Sequence, residues 1–212
     1  IPFDETYILY NPHDILSLVC VFFSLLPILL LVFYFSWFVT TRELESCIMA
    51  AGHVVNNIIN HVIKNILKHQ RPTYLDNLQE KLPLLRNQYG MPSAHSQFMG
   101  FFSMFFSLRF LLQFKNLTLF EKFIIIVVLN SMSIMTAFSR VYLYYHSADQ
   151  VCVGLLLGWL LGSIFFLIVS FLRDFGIIKY LLKNFKIFKI FYLKDSFYDN
   201  YDSTLKTQYS NY

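Results

Sequence analysis

The chain has 212 residues, of which 56% are hydrophobic and only 14% are charged. Soluble globular domains carry about 25% charged residues, so this composition excludes an ordinary water-soluble domain and predicts a membrane protein. At about 20 apolar residues per crossing, the length allows about four to six spans. The net charge of +4 is modest, and its uneven distribution is a topology signal, not a signal for nucleic-acid binding.

Runs of apolar residues separated by turn residues predict an all-α fold, a multi-pass transmembrane helical bundle of about five spans. The predicted spans are, in chain order, 15–39, 43–63, 94–114, 120–138 and 148–172. We therefore expect an N-terminal segment over residues 1–14 and a transmembrane domain over residues 15–172. One long loop, residues 64–93, joins the second and third spans, and a loop of this length in a compact bundle usually has a function.

Two spans carry patterns that predict contacts between helices. The second span has a polar stripe within about 100° of a helical wheel, made of His53, Asn57, Asn60, His61 and Lys64. Such a face avoids lipid, and hydrogen bonding to a neighbouring helix is the favoured interpretation. The fifth span has glycines spaced four apart, Gly154, Gly158 and Gly162. This spacing permits a close approach of another helix.

The C-terminal part of the chain divides into two predicted segments. Residues 173–194 carry lysines that gather on one side of a helical wheel, Lys179, Lys183, Lys186, Lys189 and Lys194. This pattern indicates either a basic amphipathic helix on the cytoplasmic leaflet or a basic extension of the last span. Residues 195–212 are polar and rich in tyrosine, and we expect them to be disordered. Five spans then place the lysines in the cytosol, and the loops 64–93 and 139–147 on the opposite side together with the N-terminal segment.

The first motif is KNILKHQRP, at residues 64–72. Lys64 and Arg71 are seven positions apart, close to two helical turns, so both side chains can point the same way if the helix continues to Pro72. An ammonium and a guanidinium form a good pair for one phosphate group. The alternative is that these basic residues are interfacial anchors flanking a span.

The second motif is MPSAH, at residues 91–95. It predicts a helix start with Ser93 at the N-cap. The N–H groups and the positive dipole end of such a helix form an anion site. His95 lies in the first turn, where it can donate a proton to an oxygen bound there; the alternative is an interfacial histidine.

The third motif is SRVYLYYHSAD, at residues 139–149, with Arg140, His146 and Asp149. We expect Asp149, in the first turn of the fifth span, to accept a hydrogen bond from one nitrogen of His146. That bond would fix the tautomer and leave the other nitrogen free as a nucleophile. The cost of charged groups at the rim of an apolar bundle favours this functional interpretation over a solvated loop.

The order of these motifs resembles that of the type 2 phosphatidic acid phosphatase superfamily. The pattern of that family is Lys–six residues–Arg-Pro, then Pro-Ser-x-His, then Ser-Arg–five residues–His–three residues–Asp. With Asp149 taken as the motif acid, every signature position matches except Ala94, where the family usually has glycine. Alanine is small and still offers its N–H, so the anion site should be retained. The string GMPSAHSQF is similar to the dolichyl diphosphatase branch, and the likeness covers about residues 15–172.

The resemblance implies roles for individual residues and a phosphatidic acid phosphatase type 2/haloperoxidase-like core. His146 would be the nucleophile that forms a phosphohistidine, oriented by Asp149, and His95 would be the acid that protonates the leaving group. The phosphate would be bound by Lys64, Arg71, Ser93, Arg140 and the N–H of Ala94. The family works without a metal, so we expect no metal and no cofactor.

The function implied by the resemblance is hydrolysis of dolichyl diphosphate to dolichyl phosphate and phosphate. The enzyme would lie in the endoplasmic reticulum membrane with its active site facing the lumen and its C-terminus in the cytosol, and would recycle the lipid carrier for protein N-glycosylation. Two alternatives stay open. One is a phosphatase for another lipid phosphate, such as phosphatidate or another polyprenyl diphosphate, and the other is a catalytically inactive membrane scaffold.

Overall fold

The computed structural model describes residues 8–72 and 89–196, so most of the predicted long loop 64–93 lies outside the described residues. The described ranges contain five long helices, α1 Ile15–Thr41, α2 Leu44–Leu67, α3 Ala94–Leu112, α4 Leu119–Tyr142 and α5 Ala148–Asp174. They also contain two short helices, α6 Ile177–Asn184 and α7 Lys186–Ile190. The predicted helical bundle is confirmed. Within the described ranges, α1, α4 and α5 are long and apolar enough to cross a membrane. Helices α2 and α3 carry more polar residues, so five spans stay a prediction.

Helices α3 and α5 approach each other closely along the predicted glycine stripe. A Cβ on Gly158 would lie 2.3 Å from the carbonyl oxygen of Gln97, and a Cβ on Gly162 would lie 2.6 Å from that of Phe101. Near the start of both helices, a Cβ on Gly154 would lie 2.7 Å from the Ser93 carbonyl oxygen. The stripe therefore sets the first turn of α3 directly against the first turns of α5.

We predict that Gly158→Ala destabilises the bundle by about 1–3 kcal/mol, because the added methyl group meets backbone atoms that have no room to move. Thermal unfolding of the purified protein in detergent measures the effect. Leu160→Ala is the control, since the Leu160 side chain is 57% exposed on the same helix and its loss should change stability little. Equal stability of the two variants would mean that α3 and α5 are not in close contact.

The polar stripe of α2 is buried, but its members differ from those predicted. His53, Asn60 and Lys64 face the interior as expected, while Asn57 and His61 are exposed and Asn56 takes the inner position. The buried face of α2 is therefore shifted toward the side of Asn56, which lies about 100° from Asn57 on the helical wheel. The expected bonds between helices are present: the Tyr34 hydroxyl lies 3.2 Å from His53 Nε2.

The C-terminal segment follows the first of its two predicted courses in part, because α6 is a short amphipathic helix with Lys179 and Lys183 exposed and Ile178 buried. Its position on the cytoplasmic leaflet stays a prediction, and the alternative of a basic extension of the last span is wrong. Gly176, with φ of 71°, ends α5, so the last span does not extend further, and the helical stretch is then broken at Phe185 between α6 and α7. The chain next returns to the start of α2, where the Lys194 N–H donates to the Arg42 carbonyl and the Leu44 N–H donates to the Lys194 carbonyl.

Ionic contacts hold this end of the bundle together. Arg173 is buried near the end of α5 and contacts both Glu45 of α2 and Asp195. Arg109 of α3 also contacts Glu45. Ser196 donates to the carboxylate of Glu43 at 2.8 Å. The first two residues of the predicted disordered tail are thus bonded to the helices; residues 197–212 lie outside the described residues.

Candidate active site

The three motifs meet at one end of the bundle, where α2 and α4 end and α3 and α5 begin. The Ser93 N–H donates to the carbonyl of Gln150 at 3.1 Å, which joins the second motif to the start of α5. Within the third motif, the His146 N–H donates to the Arg140 carbonyl at 3.0 Å. Arg71 of the first motif donates to the Tyr145 carbonyl at 3.5 Å. Segments far apart in sequence therefore form one site.

Two of the predicted phosphate-binding cations are buried in the last turns of their helices. Lys64 of α2 and Arg140 of α4 are each 5% exposed. Arg140 was expected in the loop after the fourth span, but α4 continues to Tyr142. Its guanidinium lies 4.0 Å from the centroid of the Tyr145 ring and donates to Ser24 Oγ of α1 at 3.3 Å. Buried cations are costly unless an anion or other polar groups compensate for them, so this pocket favours an anionic ligand.

Arg71 reaches the site by a different route from the predicted one. The expectation that α2 continues to Pro72 is wrong, because the helix ends at Leu67 and Lys68 takes a left-handed conformation with φ of 49°. The following residues are extended, and Gln70 pairs with Tyr89 across the loop. Arg71 therefore enters the site from this extended segment, beside the helix that carries Lys64.

The start of α3 has the geometry of an anion site. Ser93 occupies the predicted N-cap position, and its hydroxyl accepts a hydrogen bond from Ser96 Oγ at 3.1 Å. The N–H groups of the first turn, including those of Ala94 and His95, have no acceptor within the helix because none precedes them. They can therefore donate to phosphate oxygens.

Amide side chains from α2 hold this turn in place, a role that the sequence interpretation missed. Asn60 Nδ2 donates to the Pro92 carbonyl at 3.2 Å and to Gln97 Oε1 at 2.6 Å. Gln97 Nε2 in turn donates to Asn56 Oδ1 at 2.8 Å. The signal was the polar stripe of α2, which was assigned to helix contacts in general and not to the MPSAH turn.

His146 lies in the loop between α4 and α5 and is 4% exposed. Burial lowers the pKa of its imidazole well below the usual value, and the positive charges of Arg71, Arg140 and Lys64 lower it further. The hydrogen bond that the ring donates to Gln150 opposes this shift of the pKa. The neutral ring therefore prevails at pH 7 and has a lone pair available for attack. The same three cations act on His95 in the first turn of α3, so both imidazoles lie near one positively charged pocket.

The prediction that Asp149 orients His146 is wrong. His146 Nδ1 lies 2.9 Å from Oε1 of Gln150. The Asp149 side chain is 56% exposed, and its carboxylate lies 3.9 Å from His69 Nε2. The family pattern places three residues between the histidine and the acid, which leads to Gln150 in this chain. Asp149 comes one residue too early and so points about 100° away around α5.

A groove between α1, α2 and α3 leads to His95, with a volume of about 300 Å³. Its apolar lining consists of Pro27, Ile28, Leu31, Ala50, Val54 and Phe98, and its other lining residues are His53, Asn56, Asn57, Asn60, Ala94 and His95. Leu31 and Val54 are largely exposed on the outer surface of the bundle. The groove thus connects the lipid-facing surface with the candidate site.

Fold and site together define a membrane-embedded helical phosphatase with a cationic, histidine-containing phosphate pocket. The PAP2 superfamily model matches residues 45–174, and the chain belongs to that superfamily, as the three motifs predicted.

Individual relatives agree with this assignment. A Saccharomyces cerevisiae protein named Dolichyldiphosphatase is 50% identical over 212 residues, which are 100% of this chain and 87% of that protein. A Schizosaccharomyces pombe protein named Palmitoyl-protein thioesterase-dolichyl pyrophosphate phosphatase fusion 1 is 32% identical over 90% of this chain and 29% of that protein. The crystal structure of a transmembrane PAP2 type phosphatidylglycerolphosphate phosphatase from Bacillus subtilis shares the fold. Its TM-score is 0.57 at 21% identity, over 81% of this chain and 85% of that chain.

Proposed function

We propose that this protein hydrolyses dolichyl diphosphate to dolichyl phosphate and phosphate at the luminal face of the endoplasmic reticulum membrane, and so recycles the lipid carrier for protein N-glycosylation. The observation that carries the proposal is the cluster of Lys64, Arg71 and Arg140 around neutral His146, beside the N-terminus of α3. Three cations and a row of N–H donors suit the high negative charge of a diphosphate. Similarity to the yeast relative along the whole chain supports the substrate.

In the first step, Nε2 of His146 attacks the terminal phosphorus. The nitrogen–phosphorus bond forms while the bond from phosphorus to the bridging oxygen breaks, and dolichyl phosphate leaves on that oxygen. The negative charge of the bound diphosphate favours the protonated form of His95, which donates its proton to the departing oxygen. The charge on the transferred phosphoryl group is stabilised by Lys64, Arg71, Ser93, Arg140 and the N–H of Ala94.

In the second step, water releases phosphate from the phosphohistidine. His95, now neutral, takes a proton from the attacking water. The new oxygen–phosphorus bond forms as the nitrogen–phosphorus bond breaks, and His146 returns to its neutral state. One histidine therefore serves as acid and then as base.

We assign the groove between α1, α2 and α3 to the first part of the polyprenyl tail. Its outer walls are apolar, as an isoprenoid chain requires, and its inner end lies at His95 and Ala94. The groove is too small for a whole dolichol, so the rest of the tail would stay in the bilayer.

A substrate panel tests the proposed function. We expect the purified protein in detergent to release phosphate from dolichyl diphosphate with kcat/KM at least about tenfold above that for phosphatidate. The reason is that the three cations stabilise the more highly charged diphosphate group more strongly. Vanadate should inhibit the reaction. A preference for phosphatidate or for another polyprenyl diphosphate would favour the first alternative, and a protein without turnover on any lipid phosphate would favour the inactive scaffold.

A further inference from the structure

Gln150 occupies the position that the family pattern gives to an acid. Its side chain is 0% exposed, in the first turn of α5, and its main-chain carbonyl accepts from the Ser93 N–H. A buried amide in contact with the nucleophile is a departure from the carboxylate that the motif leads one to expect. The way this amide is bonded determines what it can do to His146.

The orientation of the amide is fixed by its neighbours. One end lies 2.7 Å from the main-chain carbonyl oxygen of Gln70, and a carbonyl can only accept, so this end is the NH₂ group. The second N–H of that group faces His69 Nδ1 at 3.0 Å. The other end of the amide is therefore Oε1, which lies 2.9 Å from His146 Nδ1. Gly90 packs across the whole amide, because a Cβ there would lie 2.5 Å from Oε1 and 2.6 Å from Nε2 of Gln150.

The geometry points to Gln150 as the positioning residue of His146, with its orientation set by the carbonyl of Gln70. Oε1 can only accept, so His146 Nδ1 carries the hydrogen across the 2.9 Å contact. Nε2 is left with the lone pair that attacks phosphorus. This inference rests on the proposed function, because it gives Gln150 a role in that same reaction.

The absence of charge on the amide matters for the electrostatics of the pocket. The charged groups that act on His146 are Arg71 from the extended segment, Arg140 from α4 and Lys64 from α2. The same three cations act on His95 of α3. A carboxylate in place of the amide would favour the protonated imidazolium and would cancel part of the positive charge available to the substrate. The amide fixes the tautomer without either effect.

Three variants test the role of Gln150 through kcat, KM and the pH dependence of kcat/KM. Gln150→Ala should lower kcat by about 10²-fold while KM changes by less than about threefold, because the tautomer is lost but the cations remain. Gln150→Asp places the family carboxylate next to His146. Its kcat should be at least about tenfold higher than that of Gln150→Ala. The acid limb of its kcat/KM profile should move to higher pH, because the carboxylate raises the pKa of His146. Asp149→Asn should change kcat by less than about threefold.

The outcomes separate positioning from packing. Any of three results would overturn the inference. The kcat of Gln150→Ala could stay near the wild-type value, Asp149→Asn could be impaired as strongly as Gln150→Ala, or the acid limb of Gln150→Asp could stay where it is in the wild type. If the alanine variant fails to fold, the aspartate variant carries the test, because its pH shift depends on charge. All variants are compared on whichever lipid phosphate the wild type hydrolyses, so failure of dolichyl diphosphate as substrate and failure of this inference are distinguishable.

Discussion

Replacing His146 with alanine is expected to lower phosphate release by at least about 10³-fold, because the change removes the atom that bonds to phosphorus. His146 lies in the loop between α4 and α5 and not in the aromatic core around Phe101 and Phe105, so the bundle should stay folded in detergent. The measurement combines steady-state phosphate release with covalent labelling from dolichyl diphosphate that carries the label on its terminal phosphate. Wild type should take up label on histidine, and the variant should not.

A matched control lies two residues away in the same loop. Tyr144 is 56% exposed, so Tyr144→Phe should leave turnover and labelling unchanged. A His146→Ala protein that keeps more than a few per cent of turnover, or that still takes up label on histidine, would contradict the role of His146 as nucleophile. Equal losses in both variants would indicate damage to the loop and not to the chemistry.

The helical architecture could be predicted from the sequence, because the apolar runs define the helices and the alternating direction of successive helices leaves few possible arrangements. The apolar run that starts at Ala148 begins α5 where it was predicted. With successive helices alternating in direction, Lys64, Ser93 and Arg140 had to meet at one end of the bundle. The four-residue spacing of the glycines in α5 also predicted the close contact with α3, since backbone can approach backbone only where side chains are absent.

Features that depend on local backbone conformation or helix rotation could not be predicted in this way. The path of Arg71 is determined by the left-handed conformation of Lys68, which a lysine adopts rarely and which no propensity indicates. The choice of Asn56 over Asn57 for the interior depends on how α2 packs against Gln97. Gln150 is a different case, because the sequence identifies it: three residues lie between it and His146, as the family pattern requires.

The positioning groups around the site are largely neutral amides. Asn56, Asn60 and Gln97 fix the start of α3, and Gln150 fixes His146. Inside an apolar bundle, a fully bonded amide costs less than a charged group and does not reduce the positive potential of the pocket. The three cations therefore bind the substrate, while neutral amide side chains position the start of α3 and His146.

Replacing His95 with alanine is expected to trap the phosphohistidine when the substrate is dolichyl diphosphate. The leaving group is then a phosphate monoester, whose second pKa is about 6, so it can depart without being protonated by His95. Hydrolysis of the phosphohistidine still needs a base to take a proton from water, and this second step should slow by about 10²–10⁴-fold. With phosphatidate, the leaving alkoxide is far more basic, so the first step fails as well and little label should accumulate.

Rapid quenching after addition of terminally labelled substrate measures this difference, with the label identified as acid-labile and base-stable. His61→Ala is the matched control, since His61 is an exposed histidine of α2, one turn before Lys64, and its loss should leave turnover intact and the phosphoenzyme low. The double variant lacking His95 and His146 should take up no label on histidine. Loss of turnover in His95→Ala without trapped label would show that His95 is required for the first step with the diphosphate too. Equal trapping from phosphatidate would contradict the argument from the leaving group.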